Sequence, residues 1–207
     1  MQRFISSVLL ITALSCQLGC STSATPPPAN AAPLQSAPSQ SVASSDGQTF
    51  SDNELTTAIS THLGVTSESA ASAIERLFKE RGRPVGYITG EEGGGAFTVG
   101  LRYGKGTLWM KNGDTRKVYW QGPTVGFDIG AEVSKVFTLV YNLQDAEYIY
   151  QRFPGVDGSA FLVAGLAVNY QRANGVVLAP VRAGVGARLG ANIGYTSYTR
   201  SRSILPF

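Results

Sequence analysis

No cysteine follows Cys20 in this 207-residue chain, and the only other one is Cys16. A domain beyond that point therefore has no disulfide framework and no cysteine-based zinc site, redox couple or thiol nucleophile. Histidine is nearly as scarce. His62 stands alone, so no multi-histidine metal site can be built. Charge is sparse too, at 15% of residues with a formal net of +3, far short of the basic stripe of a dedicated nucleic-acid binder. The apolar run from Phe4 to Leu14 is too short to span a bilayer.

That run follows Arg3 and leads to a small-residue end, which is the pattern of a secretory signal over residues 1–19. Gly19 directly precedes Cys20, as lipoprotein processing requires, so Cys20 is the expected lipid anchor. Cys16 after Ser15, or ordinary cleavage after Ala24, are the alternatives. Acyl chains on Cys20 would hold the protein at a membrane in proportion to the methylenes they bury. Between positions 20 and 49 stand seven Ser, six Ala and five Pro, too little large apolar surface to offset the entropy of ordering. Residues 20–50 thus read as a disordered tether, and 51–207 as one folded domain. A domain of that length buries roughly two-thirds of its unfolded surface without needing a metal or disulfide.

Ser51 to Glu54 fits a helix capping box, with Leu55, Ile59, His62 and Leu63 at helical spacing and Gly64 as a stop. A second helix starts at Thr66 or Ser67, carries Ala70, Ala73, Ile74, Leu77 and Phe78 on one stripe, and ends at Gly82 and Pro84. From Val85 on, the period becomes two. Phe97 to Tyr103 alternate, Asn112-Gly113 marks a hairpin, Gly122-Pro123 reads as a turn, and Lys135 to Asn142 is apolar on both faces. Gln144 to Arg152 reads as a short helix, Gly158 to Tyr170 as one long strand, and Val181 to Tyr195 as an apolar face backed by repeated glycine. Such glycines let strands coil and close. The fold class is mainly β: a small antiparallel β-barrel or strongly curled sheet with an N-terminal helical pair.

The motifs that look chemical are weak. Gly104-Lys105-Gly106-Thr107 lacks the spacing and the following helix of a phosphate loop. Gly184-Val185-Gly186 with Gly190 misses the dinucleotide fingerprint by one residue. Glu91-Glu92 before three glycines reads as a turn whose acids are solvated or paired with arginine, and Asp128, Glu132 and Asp157 have no evident partner. His62 reads as a helix-end cap, since no Gly-x-Ser-x-Gly elbow accompanies it. No residue set supplies nucleophile, base and orienter together, so an enzyme is not expected, nor is a cofactor. The last 36 residues hold Arg172, Arg182, Arg188, Arg200 and Arg202 and no acid, an edge suited to phosphate or carboxylate. Arg182 and Arg188 beside an apolar face, with Trp109 and Trp120, are the candidate ligand-binding residues. Trp109, Tyr119, Trp120, Phe127, Tyr141 and Tyr170 could line a pocket for acyl chains or glycans, or simply fill a core.

The segments GEEGGGAFTVGLRYGKGTLWMKN (90–112), KVYWQGPTVGFDIG (117–130), LVYNL (139–143), YQRFPGVDGSA (150–160) and RAGVGARLGANIGY (182–195) together resemble the envelope integrity protein A family of alphaproteobacterial periplasmic proteins, once a domain of unknown function. The resemblance spans about residues 52–207. It implies a secreted periplasmic β-barrel needed for envelope integrity, with no assigned catalytic activity and no motif of ligand residues to carry over. A lipid-attachment cysteine and a long tether depart from the soluble form of the family's type member. The stretch from Gly93 to Asn142 also resembles the lipid-binding SYLF domain. The expected function is non-enzymatic support of the envelope from the periplasm, as a membrane-tethered lipoprotein contacting peptidoglycan, outer-membrane lipid or assembly proteins. The alternative is a lipid- or glycolipid-binding module; nucleic acid is not an expected partner.

Overall fold

The computed structural model describes residues 47–95, 99–125, 133–183 and 194–203. The signal peptide, Cys16, Cys20, the tether up to residue 46, Phe127, Asp128, Glu132, Arg188 and the glycines of 184–190 lie outside the described residues.

Local chemistry sets both helices. Ser51 accepts from the Glu54 N–H and the Glu54 carboxylate accepts from the Ser51 N–H at 2.8 Å, starting α1 (Asp52–Leu63), which Gly64 ends in the left-handed region at φ 71°. Thr66 caps α2 (Ser67–Arg81), and Gly82 stops it at φ 75°. Phe50, at the end of the tether segment, donates its N–H to Pro84 O at 3.0 Å and packs edge-on against Tyr87.

Beyond the helices, the described residues form one antiparallel sheet of ten strands. At its centre β1 (Gly86–Gly95) pairs with β2 (Val99–Met110) on one side and β4 (Ser134–Tyr141) on the other. β2 turns through Asn112-Gly113 into β3 (Thr115–Val125), which pairs with β10 (Tyr195–Thr199) and through it with β5 (Arg152–Pro154). In the other direction β4 pairs with β9 (Val176–Ala183), and β9 with β7 (Leu166–Val168) and β8 (Gln171–Ala173); β6 (Phe161–Val163) pairs with β7. A bridge between Gly155 and Gln171 then ties the chain just after β5 to β8, so the curled sheet meets itself.

Strand alternation splits the apolar residues between two cores. Phe137, Leu139 and Tyr141 of β4 and Val177, Ala179 and Val181 of β9 face out against Leu55, Ile59, Ala73, Ile74 and Leu77 of the helices. Val136 and Val140 of β4 and Val176 and Leu178 of β9 face into the curl, with Ile88, Leu108, Val118, Trp120, Phe153 and Tyr198. The two-faced apolar strand at 135–142 is thus a wall shared by both cores.

Several expectations need correction. Glu91 to Gly95 forms no turn: it is the second half of β1, in register with Leu101 to Lys105. Gly122-Pro123 likewise lies within β3, because a side chain at Gly122 would meet Tyr195 O at 2.1 Å and the strand needs a glycine there. The long strand at 158–170 breaks twice, at Gly158 (φ 67°) and at Ala164-Gly165 (φ 47° and 80°), giving the β6–β7 hairpin. The helix expected over 144–152 is one 3-10 turn, Ala146–Ile149. β9 starts at Val176, ahead of the expected Val181.

Candidate functional site

Along the inward face the lining changes from apolar to polar. On β1 the inward positions run Ile88, Gly90, Glu92; on β2, Leu108, Gly106, Gly104, Arg102; on β9, Leu178, Pro180, Arg182. One end of the curl is hydrocarbon, and the other gathers one carboxylate and two guanidinium groups.

Glu92 is the hub, only 5% exposed. Arg182 grips it with a two-pronged fork, Nε to Oε1 at 2.5 Å and Nη2 to Oε2 at 3.2 Å. Arg102 Nη1 stands 3.5 Å from Oε1, and the Trp120 indole N–H donates to Oε2 at 3.2 Å. Arg182 Nη1 also donates to Asn169 Oδ1 at 3.1 Å. The fork geometry of guanidinium on carboxylate makes this the strong form of such a pair.

Burial alone would push the Glu92 carboxyl up, but the attraction of Arg182 and then Arg102 outweighs it and holds the group at about 2. Burial lowers the Arg182 guanidinium while Glu92 more than restores it; for Arg102, burial and the neighbouring Arg182 prevail and the shift is downward. Burial drives the Tyr198 phenol upward, so it stays protonated beside Thr138.

Glycine makes room for the hub. A Cβ at Gly104 would lie 2.0 Å from Trp120 Cε2, and one at Gly90 2.5 Å from its Cη2. The indole therefore lies flat on two glycines, which is why its N–H reaches Glu92. Gly104-Lys105-Gly106 is the interior of β2, shaped for a tryptophan, and not a loop leading into a helix N-terminus.

An ionised carboxylate clamped by two arginines is a poor general base, because the protonated form it would need to pass through is strongly disfavoured. The Tyr198 phenol beside the cluster is held protonated by burial. Mechanically, one carboxylate joins β1, β2, β3 and β9 across the inside of the curl.

Of the candidate ligand residues, Arg182 and Trp120 meet at Glu92. Trp109 does not: it sits on the outer face, 41% exposed, donating to Thr89 Oγ1 at 3.0 Å. Arg188 lies outside the described residues. The C-terminal arginines do not form one edge, since Arg182 turns inward while Arg200 pairs with Glu147. Arg202 joins Glu91, Tyr103, Lys105 and Tyr119 around a 280 Å³ rim cavity. The aromatic set is likewise divided, with Tyr119 and Trp120 at that rim and Tyr141 and Tyr170 on the helix side. His62 does not cap its helix. Its Nε2 lies 3.2 Å from the Gly90 N, 3.0 Å from Gly90 O and 3.1 Å from Val136 O, pinning α1 to β1 and β4. Glu92 is paired with arginine, as expected of the Glu91-Glu92 acids, but from within a strand; Arg102 and Asn169 are not among the expected residues, and the signal for the cluster, the shared parity of Glu92 with Ile88, is concealed by the glycines that follow.

Comparison with known proteins adds the following. A model of the envelope integrity protein A family matches residues 48–207. The chain is similar to a beta-barrel-like, uncharacterized protein from Brucella abortus, known from a crystal structure, at 46% identity and a TM-score of 0.71, over 77% of this chain and 99% of that one. No curated protein matches the chain.

Proposed function

The chain belongs to the envelope integrity protein A family, and from that premise we propose that it is a non-enzymatic periplasmic protein, held at a membrane by lipid on Cys20, that supports the envelope by contacting its components. The family's name fits a role in the cell envelope. The observation that carries the finer reading is the inward face of the curled sheet. It is filled with apolar side chains at one end and locked by the Glu92 ion pairs at the other. An inward face filled at its apolar end, with a cavity of about 280 Å³ at its polar end beside Glu92 and Trp120, suits a rigid scaffold better than a carrier, whose bound ligand would need an enclosed, largely apolar volume.

The test is a strain lacking the protein, complemented with the wild type or Cys20→Ser and challenged with detergent, together with native mass spectrometry of the protein from its own envelope. The proposal expects detergent sensitivity without the protein and rescue by the wild type. Cys20→Ser should move the protein from the membrane to the soluble fraction. The purified chain should carry acyl mass on Cys20 and no further lipid. A stoichiometric second lipid would overturn the scaffold reading in favour of a lipid- or glycolipid-binding module.

A further inference from the structure

The rim cavity of about 280 Å³ borders the Glu92 hub, but most of its lining has no part in the fork. Register builds it. Glu91 of β1 pairs with Lys105 of β2, and Lys105 with Tyr119 of β3; in the next row Gly93 pairs with Tyr103, and Tyr103 with Gln121. These positions alternate along the strands with Glu92, Gly104 and Trp120, which build the hub. Gly93 adds no side chain, and Arg202, just beyond β10, brings a guanidinium from the C-terminal end.

The lining mixes kinds of group that a simpler ligand would not need together. Its charges have both signs, Glu91 against Lys105 and Arg202. A phosphate or carboxylate would face Glu91, a metal ion would face the two bases, and an acyl chain would strip water from all three without replacing its hydrogen bonds. Glu91 stands in register between Lys105 on β2 and Lys135 on β4, yet it forms an ion pair with neither. Tyr119 stacks on no other ring among the described residues, whereas Tyr87, Trp120 and Tyr198 each meet an aromatic neighbour.

We propose that this cavity binds a hexose ring of a glycan chain, with Tyr119 as the stacking surface and Glu91, Lys105, Gln121 and Arg202 as the polar contacts. Sugar hydroxyls both donate and accept, so they need donors and acceptors side by side: Glu91 accepts, Lys105 and Arg202 donate, and the Gln121 amide does both. The C–H face of the ring is apolar and needs a flat partner, which a tyrosine supplies while its hydroxyl stays wet. At about 280 Å³ the cavity is small for a ligand site and matches a single ring. This gives the envelope contact proposed above a ligand class and rests on that reading.

The experiment is titration calorimetry on the full chain with maltotetraose, chitotetraose and tetragalacturonate, which are neutral, acetamido and acidic glycans, and with inorganic phosphate as the ion control. At least one oligosaccharide should bind, and a neutral one should bind equally well at low and high salt. Tyr119→Ala should weaken that binding about tenfold, while Tyr119→Phe, which keeps the ring, should stay within about twofold of wild type. Glu91→Gln should weaken it about fivefold without changing Tm, since the carboxylate has no ion pair in the fold to lose. Arg172→Gln, on β8 and outside the cavity, should leave it unchanged. Binding of phosphate alone, binding of nothing, or glycan binding indifferent to Tyr119→Ala and Glu91→Gln overturns the proposal. If no glycan binds while the deletion strain is still detergent-sensitive and rescued by the wild type, the site falls and the envelope reading stands; if a glycan binds as expected and the strain is not sensitive, the site stands and the envelope reading falls.

Discussion

Replacing Glu92 with glutamine removes one charge and almost no volume, so its effect isolates the electrostatics of the hub. The carboxyl falls from an ordinary 4.5 to about 2 on folding, through the attraction of Arg182 and Arg102 overcoming burial. At 1.36 kcal/mol per pKa unit, that drop corresponds to roughly 3 kcal/mol of stability at neutral pH. Breaking a buried pair from one side leads to the same scale, about 3–5 kcal/mol, because Arg182 would be left without its carboxylate. For a domain of this size the loss corresponds to a fall in Tm of roughly 6–12 °C. The folded-state value is depressed, so the stabilisation is fully present above about 4.5 and is lost as pH falls from there toward 2. Chemical denaturation of wild type and Glu92→Gln from pH 7 to pH 2.5 measures it. The gap between the curves should be widest at neutral pH and should narrow steadily below pH 4.5. A gap under about 1 kcal/mol at pH 7, or two parallel profiles, would show that the fork contributes little and that the curl is held by its apolar end alone.

Gly104→Ala should force the Trp120 indole off its glycine bed and away from Glu92, costing about 1–3 kcal/mol and changing tryptophan fluorescence; an unchanged spectrum and Tm would contradict the packing. His62→Ala removes the bonds that pin α1 to β1 and β4, and urea denaturation should register a loss of about 1–3 kcal/mol. Ala164 holds a left-handed φ of 47° at the β6–β7 turn, so Ala164→Gly is expected to raise stability by up to about 1 kcal/mol, and a fall in Tm would argue against that turn.

What could be read in advance depended on how local its cause was. The capping box at Ser51 and the Asn112-Gly113 turn act within a few residues, and both stand where periodicity and turn chemistry put them. The apolar run of β4 announced a strand covered on both faces. The Glu92 hub resisted because its cause is distant: Arg182 is 90 residues away, and the glycines around Glu92 answer to the breadth of Trp120 across the sheet. Read locally, Glu-Glu-Gly-Gly-Gly is a turn; only the register of β1 against β2 makes it a strand. The break at Ala164 stayed hidden because alanine is a poor advertisement for a left-handed turn.

The wall shared by the two cores has a further consequence. β4 gives its backbone to β1 on one edge and β9 on the other, and its side chains to the helices on one face and the curl on the other. No partial opening can release its amides while leaving either core intact. In hydrogen exchange, the amides of Val136 to Val140 should therefore be the slowest in the protein and exchange only through global unfolding. The helices and the curled sheet then melt as one cooperative unit, and a blow to either is registered by both.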